Sequence, residues 1–480
     1  MNNISDEALT NIVKQVVMGN LMGDYNSPDA QTARIPAAGA AGEYGVFDSM
    51  DDAINAAEEA QQKYLFMTME ERDRFVEVIR NTVIDETALQ IMSVMGVEET
   101  GMGNVHDKMI KNRAAALNSP GTEDLITEAI SGDRGLTITE YCPFGVLGSV
   151  TPATNPSETI ICNSIGMLAA GDSVVFSPHP RAKKLSVWLV QLLNKELIGA
   201  GAPANLITTV REPSVEKTNE LMSHPKIRMI VTTGGPGIVK LALSSGKKAI
   251  GAGAGNPPVV VDETADLAKA AKDIVSGCAF DNNLPCIAEK EVVAVDCIAD
   301  ELIGNMRANG AYLLTDPAVI SALWEMTSNG KGGPNKDFVG KDALYIADKA
   351  GITVPADTKV LLLEADKDHP FVRTEMMMPI LPVVRARDVD EAIDLAKVFE
   401  NGNRHTSMMH SRNVEKLSRM GKIMETTIFV KNGPSYAGIG VGGEGSTTFT
   451  IAGPTGEGIT SARAFCRKRR CVMTDVMHIR

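Results

Sequence analysis

The chain lacks most of the signatures that assign a place or a chemistry at a glance. No stretch supplies the roughly 18 consecutive apolar residues of a membrane-spanning helix, and the opening MNNISDEALTNIVKQVVMGNL has neither the basic start nor the unbroken apolar run of a secretory signal. A soluble protein that is not exported, with no membrane partner, is expected. The seven cysteines, Cys142, Cys162, Cys278, Cys286, Cys297, Cys466 and Cys471, are odd in number and scattered, with no C-x-x-C pair for zinc or redox work. Reduced thiols in a cytosolic setting follow. The seven histidines form no H-E-x-x-H or H-x-H cluster, so no metal site is expected, and no Ser/His/Asp hydrolase elbow is present. Positive charge is scarce too: the net charge is −13, and the one basic run, RAFCRKRRC, is short and interleaved with apolar residues. Polyanions are repelled, which excludes nucleic acid as a partner. The chemistry must come from a thiol or a borrowed cofactor.

What is there is a globular composition, 44% hydrophobic and 22% charged over 480 residues, with 43 glycines that follow no fixed repeat. At roughly 100–200 residues per domain this length implies two or three domains. Leu9, Ile12, Val13, Val16, Val17 and Leu21 recur at helical spacing, with Ser5 as the cap and Asp6 and Glu7 at the positive end of the dipole. Residues 1–21 therefore read as an amphipathic helix, and the small-residue stretch 22–44 as a flexible linker. A short helix is marginal until its apolar face is buried, so a tethered one suits docking; packing onto its own domain is the alternative. From residue 46 to about 103 helix follows helix. Strands then alternate with helices through VLGSV, DSVVFSP, NLITTV and RMIVTTG, and again through EVVAV, KVLLLEA, MPILPVVRA, HTSMMHS and TTIFVKN. Two doubly wound α/β domains are expected.

Two strand-to-helix turns, VVFSPHPRAKK and VTTGGPGIVK, offer backbone donors for a pyrophosphate, although neither matches G-x-G-x-x-G in its usual register. Of the two cysteines in SGCAFDNNLPCIAEKEVVAV, Cys278 shares a helix face with Leu267, Ala271 and Ile274 and reads as packing. Cys286 leaves that face. It follows the turn FDNNLP, where backbone N–H groups could surround a developing oxyanion. Cys162, Cys466 and Cys471 read as core or interface.

The segment AIGAGAGNPPVVVDETADLAKAAKDIVSGCAFDNNLPCIAEKEVVAV resembles the aldehyde dehydrogenase superfamily around its catalytic cysteine, with VTPATNP, SPHP, TTGGPG and TEMMMPILPV in the expected order. The likeness runs from about residue 45 to the C-terminus. GAGAGNPP, FDNNLPC, TIAGPTGEGITSARAF and the RRCV ending are similar to the CoA-acylating acetaldehyde and propionaldehyde dehydrogenases of bacterial microcompartments. The resemblance implies a nicotinamide-binding domain over 45–252 with an arm strand near 133–142, a catalytic domain over 253–440, and a C-terminal return and β oligomerisation arm over 441–480. It implies a homodimer or homotetramer, with the basic run Arg467–Arg470 in the intersubunit arm.

Carried over residue by residue, Cys286 is the nucleophile, its backbone N–H and a side chain holding the oxyanion. An ungapped match places Thr154 at the side-chain donor's position and Asn155 one later; Asn155 has the amide donors the role needs. Glu375 matches the glutamate of the nicotinamide ribose, Ser177, Pro178 and His179 the adenosine side, and Gly234 and Gly235 the turn at the cofactor phosphates. NAD is the implied cofactor, with NADP possible. Hydrolytic relatives carry a glutamate in E-L-G-G-K that activates water, whereas GAGAG puts Gly251 at that place and Gly255 at the lysine's. A positioned base is worth about 10²–10⁴-fold, so without it CoA, whose thiol needs less activation, is the expected acyl acceptor, and the glycine is expected to leave room for its pantetheine arm. The resemblance also gives the N-terminal helix a partner in microcompartment shell proteins, and the enzyme a place in the lumen. A hydrolytic dehydrogenase making a free acid and a catalytically silent shell scaffold are the alternatives. His405 could assist CoA deprotonation or contact a phosphate, and the basic run could meet the CoA phosphates; both are kept out of the site, the first read as structural and the second as interface.

Overall fold

The computed structural model describes residues 43–479. The helix expected over 1–21, and the linker over 22–44 save for Glu43 and Tyr44, lie outside the described residues. Two compact units divide the rest: one comprises the chain up to Thr100, Lys108–Ile230 and Ser461 onward, the other Gly101–Asp107 and Val231–Thr460. Among the described residues no helix is long and apolar enough to cross a membrane.

The first unit opens with helices whose starts are written locally. Ser49 Oγ accepts from the Asp52 N–H to begin Met50–Tyr64, and Thr68 and Glu71 form a reciprocal capping box for Met69–Ile84. Ala53, Ala57, Ala60 and Tyr64, spaced three or four apart, are the buried face of the first of these. Strands β1 (Val46–Phe47), β2 (Glu128–Gly132), β3 (Gly135–Pro143), β4 (Val146–Val150), β5 (Ser173–Ser177), β6 (Ile207–Val210) and β7 (Ile227–Thr233) follow. The order β1–β6–β5–β4 is parallel throughout, with β7 beyond β4. Helix Pro156–Ala170 is buried along its whole length and closes on Gly171 in the left-handed conformation. β2 and β3 stand apart from this sheet, and β18 (Cys466–Thr474) joins them in an antiparallel ladder from Cys466 opposite Pro143 to Thr474 opposite Gly135. The basic run is therefore a strand. Lys468 in it bonds Glu128 at 3.0 Å.

The second unit carries β8 (Lys248–Ala252), β9 (Pro258–Val261), β10 (Glu291–Val295), β11 (Ala311–Leu314), β12 (Val360–Glu364), β13 (Ile380–Ala386), β14 (Thr406–His410) and β15 (Ile428–Lys431), with a two-stranded piece, β16 (Ile451–Ala452) and β17 (Gly458–Ile459). Seven of these strands form a parallel sheet in the order β11–β12–β13–β10–β9–β14–β15. Its central strands read as apolar runs because both faces are covered: Val260, Val293 and Val384 pack with Val389, Ile393 and Phe399 of the helix Val389–Phe399. The positions 252/253 and 440/441, where the resemblance implies domain boundaries, lie within this unit. The Gly251 N–H donates to Thr455 Oγ1 at 3.2 Å, which fastens the late segment to β8.

Candidate active site

In the parallel sheet of the second unit, four adjacent strands, β13, β10, β9 and β14, have their amino ends along one edge. The residues singled out from sequence sit just ahead of those ends: Glu375 before β13, Cys286 before β10, Gly251 to Gly255 before β9, and His405 immediately before β14. Ligands in open α/β sheets usually gather outside the carboxyl ends. Here the thiol lies at the opposite edge, so the strands bring together residues more than a hundred positions apart.

The loop that carries the thiol is held against its own preference. Asp281, Asn282 and Asn283 have φ of 46°, 56° and 65° in succession, the left-handed region that only Asn and Asp among non-glycine residues visit readily. Each is tied down. Asp281 Oδ1 accepts from the Asn104 N–H at 2.9 Å, and its own N–H donates to Asp107 Oδ2 at 2.8 Å. The Asn282 amide donates to the Gly340 carbonyl at 2.9 Å, and the Gly340 N–H in turn donates to Met377 O at 2.9 Å, two residues past Glu375. Asn283 Nδ2 donates to the carbonyls of Cys278 and Glu289 at 2.9 and 3.0 Å. Cys286 is partly exposed, whereas Cys278 is fully buried on its helix and desolvation drives its thiol far up, as its packing face suggested.

Two of the three glycines of GAGAG, Gly251 and Gly255, are close-approach positions. A Cβ on Gly255 would lie 2.7 Å from the Cys286 carbonyl oxygen and 2.9 Å from His405 Cγ. A Cβ on Gly251 would lie 2.7 Å from Val239 Cγ1. The expectation that Gly251 leaves an open space is corrected here: the valine side chain stands where a longer residue would begin. Asn256 anchors the segment, its buried amide donating to the carbonyls of Val372 and Phe399 at 3.1 and 3.0 Å.

Buried charge surrounds this edge. Burial pushes the Glu375 carboxyl up to about 7, against the pull of the Lys290 ammonium and the Gly255 N–H. Glu289 is likewise raised to about 7 by burial, although Ser435 donates to it through both N–H and Oγ, at 2.8 and 2.7 Å. His405 is buried and held down to about 4, first by desolvation and then by Lys290, so it is neutral at pH 7. Its Nδ1 pairs with Thr406 Oγ1 at 2.8 Å, its N–H donates to Glu400 Oε1 at 2.9 Å, and Nε2 has no partner among the described residues.

In the first unit, Asn155 is buried ahead of helix Pro156–Ala170, and the Lys111 ammonium donates to its Oδ1 at 2.7 Å. An ammonium only donates, so the amide oxygen is committed and Nδ2, which reaches Thr154 Oγ1 at 3.3 Å, is the end that can donate elsewhere. Ser177 closes β5, buried, its Oγ 2.8 Å from Thr218 Oγ1; Pro178 is buried and His179 exposed. In this unit β5 thus ends at a polar turn. Within the second unit, Gly234 and Gly235 precede helix Pro236–Leu243 with nothing within 4 Å of a Cβ placed on Gly235 or Gly237. That leaves open backbone of the kind phosphate oxygens approach.

The aldehyde dehydrogenase family model matches residues 38–318. The chain belongs to the aldehyde dehydrogenase family. Among the relatives of this dehydrogenase, the CoA-propanoylating propanal dehydrogenase of Salmonella typhimurium is 50% identical over 437 residues, 91% of this chain and 93% of that one. A crystal structure of Rhodopseudomonas palustris propionaldehyde dehydrogenase with bound CoA and an acylated cysteine is 60% identical, covers 91% of this chain and all of the other, and superposes with a TM-score of 0.90. A propionaldehyde dehydrogenase from the fucose utilisation microcompartment of Clostridium phytofermentans is 51% identical over 91% of this chain and all of its own, TM-score 0.89. An engineered glycolyl-CoA reductase with bound NADP+ is 59% identical over 92% of this chain and all of its own, TM-score 0.90. The α/β fold read from the alternating pattern is the fold of these structures, and the CoA-acylating class read from the motifs is the class of these relatives.

Two buried residues beside this edge were not placed in the site from sequence. His405 was set aside as a lone histidine, and its nearness to Gly255 is visible only once β14 and β9 are seen to be neighbours. Lys290 gave no signal at all, since a lysine in AEKEV reads as surface; only the burial of its flanks would have marked it.

Proposed function

We propose that the chain is a CoA-acylating aldehyde dehydrogenase that oxidises acetaldehyde or propionaldehyde to the acyl-CoA, reversibly, with NAD and with NADP as a possible substitute. The observation that carries this is the pairing of a partly exposed Cys286 with a close-packed glycine, Gly251 under Val239, at the place where the resemblance puts the water-activating glutamate of hydrolytic members.

The Cys286 thiolate adds to the aldehyde carbon, and its own N–H, with Asn155 as the proposed side-chain donor, meets the charge developing on oxygen. A bound nicotinamide would supply the acceptor for the hydride of the thiohemiacetal. Glu375, Ser177, Pro178, His179, Gly234 and Gly235 are the proposed cofactor contacts. The acyl group then rests on Cys286 as a thioester. With no carboxylate at 251 to activate water, the CoA thiol displaces the Cys286 sulfur, and the exchange of one thioester for another is close to isoenergetic, hence reversible. The unpartnered Nε2 of neutral His405 is the proton acceptor offered to the incoming thiol. Support for the acyl-enzyme comes from the relative holding CoA and an acylated cysteine, and for a microcompartment lumen from the relative of the fucose utilisation compartment. The N-terminal helix as the shell-docking element, and a homodimer or homotetramer built on the β2–β3–β18 arm, complete the proposal.

The test is a coupled assay with acetaldehyde and NAD+, with and without CoA. Sustained NADH formation only with CoA, and acetyl-CoA as the product, is the expected result. NADH formation undiminished without CoA would establish hydrolysis instead, and an inert protein whose Cys286→Ala variant behaves identically would establish a scaffold.

A further inference from the structure

Lys290 is a buried ammonium beneath the loop that presents the thiol. Its side chain belongs to a residue only 4% exposed, and its Nζ donates to the Asn283 carbonyl at 2.9 Å and to Asn283 Oδ1 at 2.5 Å. Its backbone N–H donates to Pro257 O at 3.1 Å, which seats it on the lead-in to β9 beside Gly255. Asn283 Nδ2 is already spent on the carbonyls of Cys278 and Glu289, so both oxygens of Asn283 face inward and depend on Lys290. A buried lysine whose only task is to satisfy an asparagine is an expensive choice, because a neutral donor would do the same without desolvating a charge. The charge has another recipient. Burial pulls the Lys290 ammonium below its ordinary range, and Glu375, Cys278, Cys286 and Glu289, all within electrostatic reach, oppose this and favour its charged form; His405, ahead of β14, is depressed by burial first and by this ammonium second. Glu291, at the start of β10, also feels it: burial pushes its carboxyl well above the usual range, Lys290 and Arg373 pull it down, and Glu400 and Glu375 push it further up. Glu289 and Glu375, both raised to about 7, do not fully neutralise it either.

We propose that Lys290 is a positioning residue for the nucleophile: its ammonium pins the left-handed Asp281–Asn283 turn through Asn283, and supplies the positive charge that favours the thiolate of Cys286. The inference rests on Cys286 being the nucleophile. It assigns a role to a side chain that touches neither aldehyde nor cofactor and acts through the loop and the field.

The experiment is the pH dependence of iodoacetamide alkylation of the full chain without substrates, with the modified cysteine identified by peptide mass spectrometry and folding followed by thermal melting. Lys290→Gln keeps a donor for Asn283 but not the charge; Lys290→Arg keeps the charge. The Cys286 profile of the Gln variant should move to higher pH by about a unit, a fall of about ten-fold in rate at pH 7, while the Arg variant stays near wild type. Glu375→Gln removes a competing anion while leaving an acceptor for the Gly255 N–H, and should move the profile the other way, with about a three-fold faster rate at pH 8, since the sulfur then meets less opposing negative charge. A folded Lys290→Gln protein with an unchanged profile overturns the proposal. If that variant does not fold, a Glu375→Gln profile that fails to move downward overturns it. Wild-type labelling confined to the exposed Cys297 and Cys471 overturns the nucleophile assignment itself, an outcome distinct from an unchanged profile at Cys286.

Discussion

Gly255 and His405 approach so closely that a single methyl group on the glycine would stand 2.9 Å from the imidazole Cγ, with the Cys286 carbonyl oxygen 2.7 Å away on another side. The backbone of β9's lead-in, the loop that carries Cys286 and the start of β14 meet there without room for a Cβ. Overpacking of this kind costs about 1–3 kcal/mol, and here the atoms that must move carry the site. Gly255→Ala is therefore expected to lower the unfolding free energy by that amount and kcat by ten-fold or more, read from denaturant melts and from the CoA-dependent assay. Equal losses of activity and of folded protein would mean that the glycine serves packing alone.

At Gly251 the same reasoning separates two explanations for the missing base. If the absent carboxylate were the whole difference from a hydrolytic enzyme, Gly251→Glu would create one. Val239 Cγ1 stands 2.7 Å from where that side chain would begin, so the single substitution is expected to destabilise by about 1–3 kcal/mol and leave CoA-independent acetate formation within a few-fold of wild type. Gly251→Glu with Val239→Ala relieves the clash and is the variant expected to release more free acid. Comparable acetate from the single and double variants would show that the valine is no obstacle.

The sheet of the second unit was legible in part because β10, β12 and β13 are short apolar runs bounded by proline or charged turns, although β9 was not read as a strand, and the thiol was legible because FDNNLPC breaks the helical face that Cys278 keeps. The edge on which the site forms was not. Placing Cys286, Gly255, Glu375 and His405 together requires the strand order β13–β10–β9–β14, and chain order carries no trace of which parallel strands become neighbours. The C-terminal return was carried by the resemblance alone, because the ladder of β18 with β3 pairs residues more than 320 positions apart and nothing local in the sequence marks it. The buried charges were invisible for another reason: Lys290, Glu289 and Glu291 stand in a run of alternating sign that reads as a solvated surface, and only the covering of β10 on both faces turns it inward.

Those buried charges set a pH dependence whose parts oppose one another. Glu289, raised from the ordinary 4.5 to about 7, keeps its proton in the folded state between those values while the unfolded chain has released it, so its contribution to stability falls as pH rises through that window. His405, lowered from 6.5 to about 4, works the other way: the unfolded chain takes up a proton first, and stability falls as pH drops through 6.5 toward 4. Glu289→Gln removes the first effect while preserving an acceptor for the Ser435 N–H and a donor for its Oγ. Between pH 5 and pH 8 the stability of the variant relative to wild type is expected to rise by on the order of 3 kcal/mol, measured from urea midpoints at each pH. A difference independent of pH would show that Glu289 is ionised throughout.

The last prediction concerns the first unit, where Lys111 meets Glu158 at 2.8 Å and Asn155 Oδ1 at 2.7 Å with neither charged side chain exposed. Removing one partner of a buried pair leaves the other charge uncompensated, at a cost of about 3–5 kcal/mol, whereas replacing both with apolar residues is often neutral. Lys111→Met is expected to show the full loss in a thermal or denaturant melt, and Lys111→Met with Glu158→Met to recover most of it. Activity should not follow stability. In both variants Asn155 loses the ammonium that commits its oxygen, its amide is free to turn, and the donor proposed for the oxyanion is no longer held in place, so kcat stays ten-fold or more below wild type even where the fold is restored. A double variant that regains stability and turnover together would remove Asn155 from the oxyanion role and leave Thr154 to fill it.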